Sequence, residues 1–333
     1  MEFNNSQLYK LSFTTPLHIS NERGDYSSGS AIIQSDALYA AVCWAWNALG
    51  KPEWIDDLPT NSFGLSSCFP YNGKTLFFPR PRFTYAYDKD ANQDDTAIRK
   101  KIKKAEWVDL PILEKMLAGN DPGFNNAENF TGNFWSSNKF DGIHFLQSAV
   151  VPRVMVPRDG QADTSIFYIE KHFFEKDAGL YFLAMYSSTV IQQRVEAAFS
   201  FLAEEGMGTD RNVGHGKFTF TSSEFPTLNI QSKFNLCYSL GLFLPESKDA
   251  IAQLFSSPQK GYELVKRGGW LSEPYQTWRK KHVYMFKEGS VFATTSHKNL
   301  FLMGATVDLK PTSVHTPIQH AIWRCGRTIF IKF

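Results

Sequence analysis

Gly206-Met207-Gly208-Thr209-Asp210-Arg211-Asn212-Val213-Gly214-His215-Gly216-Lys217-Phe218 is the stretch from which the rest of the chain is read. Its four glycines, with an arginine and a lysine among them, describe a main chain made for close approach. Glycine permits positive φ and carries no Cβ to hold a ligand away from backbone N–H groups. Successive free N–H groups form an anion-binding concavity, so phosphate is the first ligand class to consider. Before the loop, Ile191, Val195, Phe199 and Leu202 recur at helical spacing, and after it residues 217–221 alternate as a strand does. The order is helix, glycine loop, strand. P-loops and dinucleotide fingerprints run strand, loop, helix, and neither Gly-Lys-Ser/Thr nor Gly-x-Gly-x-x-Gly occurs in residues 206–218. Both nucleotide motifs are excluded.

A chain of 333 residues suggests about two domains, and an apolar content of 43% supplies a globular core. Thirty-five basic residues against 33 acidic leave a net charge of +2, so any nucleic-acid site has to be a local patch. The basic run at 99–104 reads as a solvated helix face. Cys43, Cys68, Cys237 and Cys325 lie far apart, without CxxC or Cys/His ligand spacing, which implies free thiols in a reducing compartment and no metal. The first residues lack the basic and apolar regions of a signal peptide, and no apolar run approaches eighteen residues. A cytoplasmic protein without membrane spans or cofactors is expected.

Taken in order, residues 8–13 alternate as a first strand, and Ser35 is the expected N-cap of a buried helix over 36–49. Residues 63–69 and 75–78 flank Asn72-Gly73, a strong hairpin signal. Strand, helix and hairpin begin a ferredoxin-like unit. Residues 79–145 read as an insertion, with Pro79-Arg80-Pro81-Arg82 at its start and one or two helices near 94–118. A long hairpin is predicted over 149–174, with Arg153 and Arg158 before the turn Asp159-Gly160. A strand over 179–185, the helix and the glycine loop complete a first domain, 1–225. Residues 226–333 repeat the theme less regularly: strands at 234–244 and 262–270 flank a helix at 247–255, 282–286 and 290–294 pair around Glu288-Gly289, and strands at 300–309 and 328–333 finish it. The expected class is α+β, with two ferredoxin-like (RRM-like) units of antiparallel sheet whose loops converge on one groove.

Gly-φ-Gly, five residues including a basic one, then Gly-x-Gly, set between helix and strand, resembles the signature loop of the RAMP superfamily, RNA-binding proteins of CRISPR systems. Further segments resemble one RAMP branch, the fourth Csm subunit of type III-A effector complexes (a Cas subunit five-like group). They are Leu17-His18-Ile19-Ser20 with Ser35-Asp36-Ala37-Leu38, the run 153–167, Arg267-Gly268-Gly269-Trp270-Leu271, Glu288-Gly289-Ser290-Val291-Phe292, and His320-Ala321-Ile322-Trp323-Arg324-Cys325-Gly326. The resemblance spans nearly the whole chain in the family's order; 79–145 carries no motif of it. It implies a non-catalytic scaffold that holds the 5′ repeat-derived tag of the CRISPR RNA, meets target RNA through the guide duplex, and contacts the large polymerase/cyclase-like subunit and the backbone RAMP subunit. The hairpin around Asp159-Gly160 would be the family's β-hairpin thumb, with 79–145 as the alternative.

Single-stranded RNA is held by phosphate contacts from Arg, Lys and backbone N–H groups and by bases stacked on flat side chains. The candidates are therefore Gly206, Gly208, Gly214 and Gly216 as backbone donors, Arg211 and Lys217 as charges, and His215 as a base partner. Arg80, Arg82, Arg153, Arg158 and Arg267 are candidates further along the strand, each equally suited to an internal ion pair. His18 follows the first strand, where RNA-processing relatives of the superfamily carry a general base for attack of a 2′-OH, with Lys10 or Arg23 in reach to assist. The alternatives for His18 are thus RNA binding, a strand cap, or the base of a metal-independent endoribonuclease. His144 and His172 stand alone, and no paired metal motif appears.

Overall fold

Asn5–Phe13 lies inside the larger sheet of the protein, antiparallel to Ala178–Tyr186 on one side and to Phe218–Glu224 on the other. The computed structural model describes all residues except 1–4, 23–24, 61, 84–95, 123–126, 139–144, 158–162, 233, 273 and 313–317. Ala178–Tyr186 is buried at every position because both its faces are covered. Leu180, Phe182, Ala184 and Tyr186 face the helices, whereas Tyr181, Leu183 and Met185 enter a second core on the opposite side. A strand covered on both faces reads as a continuous apolar run, as this one does.

The helices are α1 (Ser35–Ala48), α2 (Thr96–Lys104), α3 (Leu110–Ala118), α4 (Thr189–Glu205) and α5 (Lys248–Leu254). Tyr39, Val42 and Trp46 of α1 and Val195, Phe199 and Leu202 of α4 fill the helix-side core. Ser188 caps α4, its hydroxyl accepting the N–H of Ile191 at 3.3 Å. Ser35 is not the cap expected for α1. Gln34 holds that position, and Ser35 bridges elements instead, accepting from the Leu242 N–H at 2.9 Å while its own N–H donates to Ser67.

The 63–69 strand divides into Phe63–Leu65 and Phe69–Asn72, both paired with Ala178–Tyr186. Between them the Ser66 hydroxyl accepts the Leu183 N–H, while the Ser67 and Cys68 N–H groups donate to Leu240 and Ile33. The Ser67 and Cys68 bonds draw the chain away from the ladder, while Ser66 keeps it tied to Leu183. The Asn72-Gly73 hairpin forms as predicted, with Tyr71 opposite Leu76 and Gly73 at φ +57°. The expected insertion does not leave the sheet. Thr75–Pro79 pairs with Trp107–Asp109, which lies parallel to Phe134–Trp135, and that strand pairs in turn with Phe130–Thr131. Of the one or two helices expected near 94–118, two are present, α2 and α3.

In the C-terminal part four antiparallel strands run in the order Val291–Ala293, Leu236–Ser239, Thr328–Lys332, Leu300–Met303. Residues 282–286 and 290–294 do not pair with each other. Val283–Phe286 pairs with Leu264–Arg267 and Val291–Ala293 with Leu236–Ser239, because Gly289 at φ +85° turns the chain from one sheet into the other. The 300–309 strand breaks at Gly304, where φ is +123° and a Cβ would stand 2.2 Å from the Gly326 carbonyl oxygen.

The expected boundary near 226–231 separates two sheets that share one core. Phe69, Phe78 and Tyr181 pack in the same cluster as Tyr238, Ile329 and Phe333. Polar groups cross the junction as well: the Tyr238 hydroxyl donates to the Pro79 carbonyl at 2.5 Å, and buried Arg327 donates to the carbonyls of Leu58 and Phe63 at 2.8 and 3.1 Å. No helix among the described residues is long and apolar enough to cross a membrane.

Leu146–Met155 and Ser165–Phe174 form a separate ribbon of ten register pairs, matching the predicted 149–174 hairpin. Its foot is held by a reciprocal backbone pair between Leu17 and His172, at 2.9 and 2.8 Å, and by stacking of Phe174 on Phe13. Further out, Val150, Val154, Met155, Ile166 and Tyr168 are exposed. Arg158, Asp159 and Gly160 of the turn lie outside the described residues, as do Arg23 and His144.

Candidate nucleic-acid interface

The glycine loop closes on itself. Gly206 ends α4 at φ +86°, and a Cβ there would stand 2.3 Å from the His215 carbonyl oxygen. At Gly208, φ +107°, it would meet the His18 carbonyl oxygen at 2.5 Å; at Gly216, φ +72°, the Met207 carbonyl oxygen at 1.8 Å. Gly214, φ +85°, has nothing within 4 Å. Three glycines are therefore required by main chain packed on main chain.

The N–H groups of three of the four glycines follow the same logic. Those of Gly206, Met207, Thr209, Gly214, Gly216 and Lys217 donate to Leu202, Gly216, His18, Arg211, Pro16 and the Thr15 hydroxyl respectively. Buried backbone donors are almost always paired, and here the loop and the 14–18 segment supply the partners. The backbone donors of Gly206, Gly214 and Gly216 are thus spent on the loop's own closure.

The loop's side chains point in two directions. Arg153, on the hairpin, lies 3.4 Å from Asp210 and 3.3 Å from Nε2 of His215, tying the loop to the hairpin foot. Burial, then the charge of Lys171, lowers the pKa of His215; burial lowers that of His172 too, so both rings are neutral at neutral pH. Arg211 turns the other way, its guanidinium carbon 3.6 Å from the centre of the Trp44 ring on α1. Lys217 is half-buried where the loop enters Phe218–Glu224.

His18 is only 1% exposed, and its Nδ1 lies 2.6 Å from the Glu170 carbonyl oxygen. Gly29 packs beside it, where a Cβ would stand 3.4 Å from His172 Nε2 and 3.5 Å from His18 Nδ1. A general base has to reach the proton it removes. His18 is enclosed instead, at the junction of first strand, hairpin and glycine loop. Lys10, named as its helper, donates to the Gly73 carbonyl at 2.7 Å.

Beside this junction a cleft of about 890 Å³ opens between the two parts of the chain, running from Ile19, Ser20 and Gly29 to Arg80, Arg82, Lys103, Lys266 and Lys287. Arg80 donates to the Ile102 carbonyl at 2.9 Å, and Arg82 pairs with Glu263 at 2.6 Å. Arg267, also on the wall, is committed internally: Nε and Nη2 lie 2.7 and 2.9 Å from the two carboxylate oxygens of Asp36. Arg324 adds a third contact at 2.6 Å. Burial alone would raise the Asp36 pKa; the Arg324 and Arg267 guanidiniums outweigh it and hold the carboxyl below its usual range.

The sequence-predicted residues therefore divide. Arg80 and Arg82 line the cleft; Arg153, His215 and His18 gather at the hairpin foot; Arg211 sits on α1; Arg267 belongs to a buried ion cluster. Lys266, Lys287 and Trp44 had no sequence signal, since isolated residues mark no pattern. Lys103 lies in the 99–104 run that reads as a solvated helix face, and α2 turns that lysine onto the cleft.

Residues 232–333 match the family model described as the CRISPR Csm4 C-terminal domain. Among curated proteins, the CRISPR system Cms protein Csm4 of Thermococcus onnurineus (strain NA1) is 25% identical over 271 residues, 78% of this chain and 81% of its own length. Among solved structures, a chain of a Csm3–Csm4 subcomplex from the type III-A CRISPR-Cas interference complex has a TM-score of 0.68 at 17% identity, over 98% of this chain and 99% of that one. A chain of a Csm1–Csm4 cassette in complex with cA4 has a TM-score of 0.58 at 19% identity, over 97% and 95%. At such identities these two likenesses speak for the fold. The chain is thus similar to Csm4 proteins in three ways: residues 232–333 match the Csm4 C-terminal domain, a curated Csm4 aligns over most of the length, and the fold is alike from end to end.

Proposed function

We propose that this chain is a non-catalytic RNA-binding subunit of a type III-A Csm complex, holding the 5′ repeat-derived tag of the CRISPR RNA and docking a Csm1-type large subunit and a Csm3-type backbone subunit. The observation that carries this reading is the cationic cleft between the two parts, with the glycine loop and the hairpin foot at one end of it. A groove of positive charge that tracks a backbone, flanked by flat side chains, is what a single strand requires. The partners follow from solved relatives of the same fold, which sit in a Csm3–Csm4 subcomplex and in Csm1–Csm4 cassettes.

A ferredoxin-like N-terminal unit fits the strand order Phe218–Glu224, Asn5–Phe13, Ala178–Tyr186, Phe69–Asn72, which is fourth, first, third, second in such a unit, with α1 and α4 on one face. The C-terminal part keeps antiparallel strands but in a different order, with α5 its one helix among the described residues. The protruding 146–174 ribbon, with its exposed apolar side chains, is the thumb in this reading. The enclosure of His18 favours a structural role for that ring over the nuclease alternative.

The test is the salt dependence of binding to a repeat-derived single strand. Arg82→Ala/Lys103→Ala/Lys266→Ala removes three charges from the cleft wall. Each lost phosphate contact lowers the slope of log K against log salt by about 0.7, so a drop of about 2 is expected. A folded triple variant with unchanged affinity and slope would refute the cleft as the RNA site.

A further inference from the structure

Two neighbouring residues of the glycine loop part company. Asp210 meets Arg153 at the hairpin foot, whereas Arg211 lies flat over Trp44 of α1 at 3.6 Å. Trp44 is itself wedged: the Phe201 ring of α4 packs on it at 5.5 Å between centroids. The backbone of Arg211 is also held, because it opens the single turn Arg211–Val213, which ends at left-handed Gly214. Among the described residues no group accepts a hydrogen bond from its guanidinium, and Glu205 acts on it only through charge.

A guanidinium stacks through its flat faces and donates through its edge. With one face on the indole, the five N–H donors of Arg211 remain in a fixed plane with their acceptors still to come. We infer that Trp44 is a positioning residue for RNA: it sets the plane of Arg211 so that the guanidinium edge meets a backbone phosphate of the bound strand as a ready-made fork. The inference rests on the RNA-binding function proposed above. Nothing in it depends on base identity, because a phosphate fork orients the strand and carries no sequence information.

Binding of the full chain to a repeat-derived single strand, read by fluorescence anisotropy at several salt concentrations, tests this with five variants. Arg211→Ala removes a charge-assisted contact and should weaken binding by about tenfold or more, with a slope lower by about 0.7. Trp44→Met keeps apolar bulk against Phe201 but removes the ring; it should weaken binding by about threefold with the slope near wild type. Trp44→Phe should restore most of the affinity. In the Arg211→Ala background Trp44→Met should add nothing, since the residue it positions is gone. Arg211→Lys keeps the charge without the flat fork and should also fall severalfold, which tests the geometry without touching α1.

Full affinity in Trp44→Met or Arg211→Lys, or an equal loss from Trp44→Met with and without Arg211, overturns the inference and leaves RNA binding standing. Wild-type affinity in Arg211→Ala, with the cleft triple variant still impaired, overturns it as well. Failure of the wild-type protein to bind the strand overturns the proposed function and the inference together.

Discussion

Gly214→Ala and Gly216→Ala place the same methyl group two residues apart in one loop, yet their effects should differ about two- to threefold. Both positions have positive φ, +85° and +72°, and the left-handed backbone costs a non-glycine residue about 1–2 kcal/mol. At Gly214 the account ends there, because a Cβ meets nothing within 4 Å. At Gly216 the methyl would stand 1.8 Å from the Met207 carbonyl oxygen and 2.9 Å from the Met207 nitrogen. Those atoms belong to main chain and cannot rotate away. Relief requires the two limbs of the loop to separate, which breaks the Met207 N–H to Gly216 carbonyl bond and disturbs the Gly216 N–H to Pro16 carbonyl bond, each 2.9 Å. At about 1 kcal/mol for each bond, the expected loss at Gly216 is about 3–4 kcal/mol against about 1–2 at Gly214. Urea unfolding followed by tryptophan fluorescence measures both. Equal losses, or a larger loss at Gly214, would refute the claim that these glycines serve the loop's own closure.

Two further outcomes follow from the charges buried at the junction. Asp36→Asn leaves Arg267 and Arg324 facing each other without their carboxylate, and breaking a buried ion pair costs about 3–5 kcal/mol, so thermal unfolding should show a large loss; a change under about 1 kcal/mol would count against the cluster as a brace between α1 and the C-terminal part. Lys280 has its pKa pulled from 10.5 to about 8, by burial first and then by Arg324. Its folded pKa lies below its unfolded one, so the folded state resists the proton, and the contribution of Lys280 to stability should rise as pH goes from about 8 to 10.5. Lys280→Met should raise stability at pH 7, and its advantage over wild type should shrink across that window; an advantage that stays constant with pH in urea titrations would contradict it.

The local elements were legible because local rules suffice for them. The apolar spacing of Ile191, Val195, Phe199 and Leu202 is the buried face of α4, and Asn72-Gly73 makes the hairpin that the dipeptide demands. Glycine at 206, 208, 214 and 216 announces positive φ, and all four positions have it. The loop's ligand chemistry was not legible in the same way. Glycine permits close approach without saying what approaches, and here the chain approaches itself. The strand pairing of 282–294 was missed for a related reason: a Gly turn between two apolar runs looks the same whether the runs pair with each other or with separate partners.

By itself, then, the sequence determined the α+β class, the long helices, the tight hairpins, the glycine loop with its helix–strand setting, and the family resemblance carried by short motifs. These depend on φ/ψ preferences and side-chain periodicity within a few residues. Tertiary structure alone decided what each charged or aromatic residue faces. Arg267 finds Asp36 across 231 positions, Trp44 lies under Arg211, and His18 is sealed by Gly29 and His172. Such meetings are set by sheet order and by which faces pack together, and the free energy that selects them is spread over the whole core, so no local stretch records them.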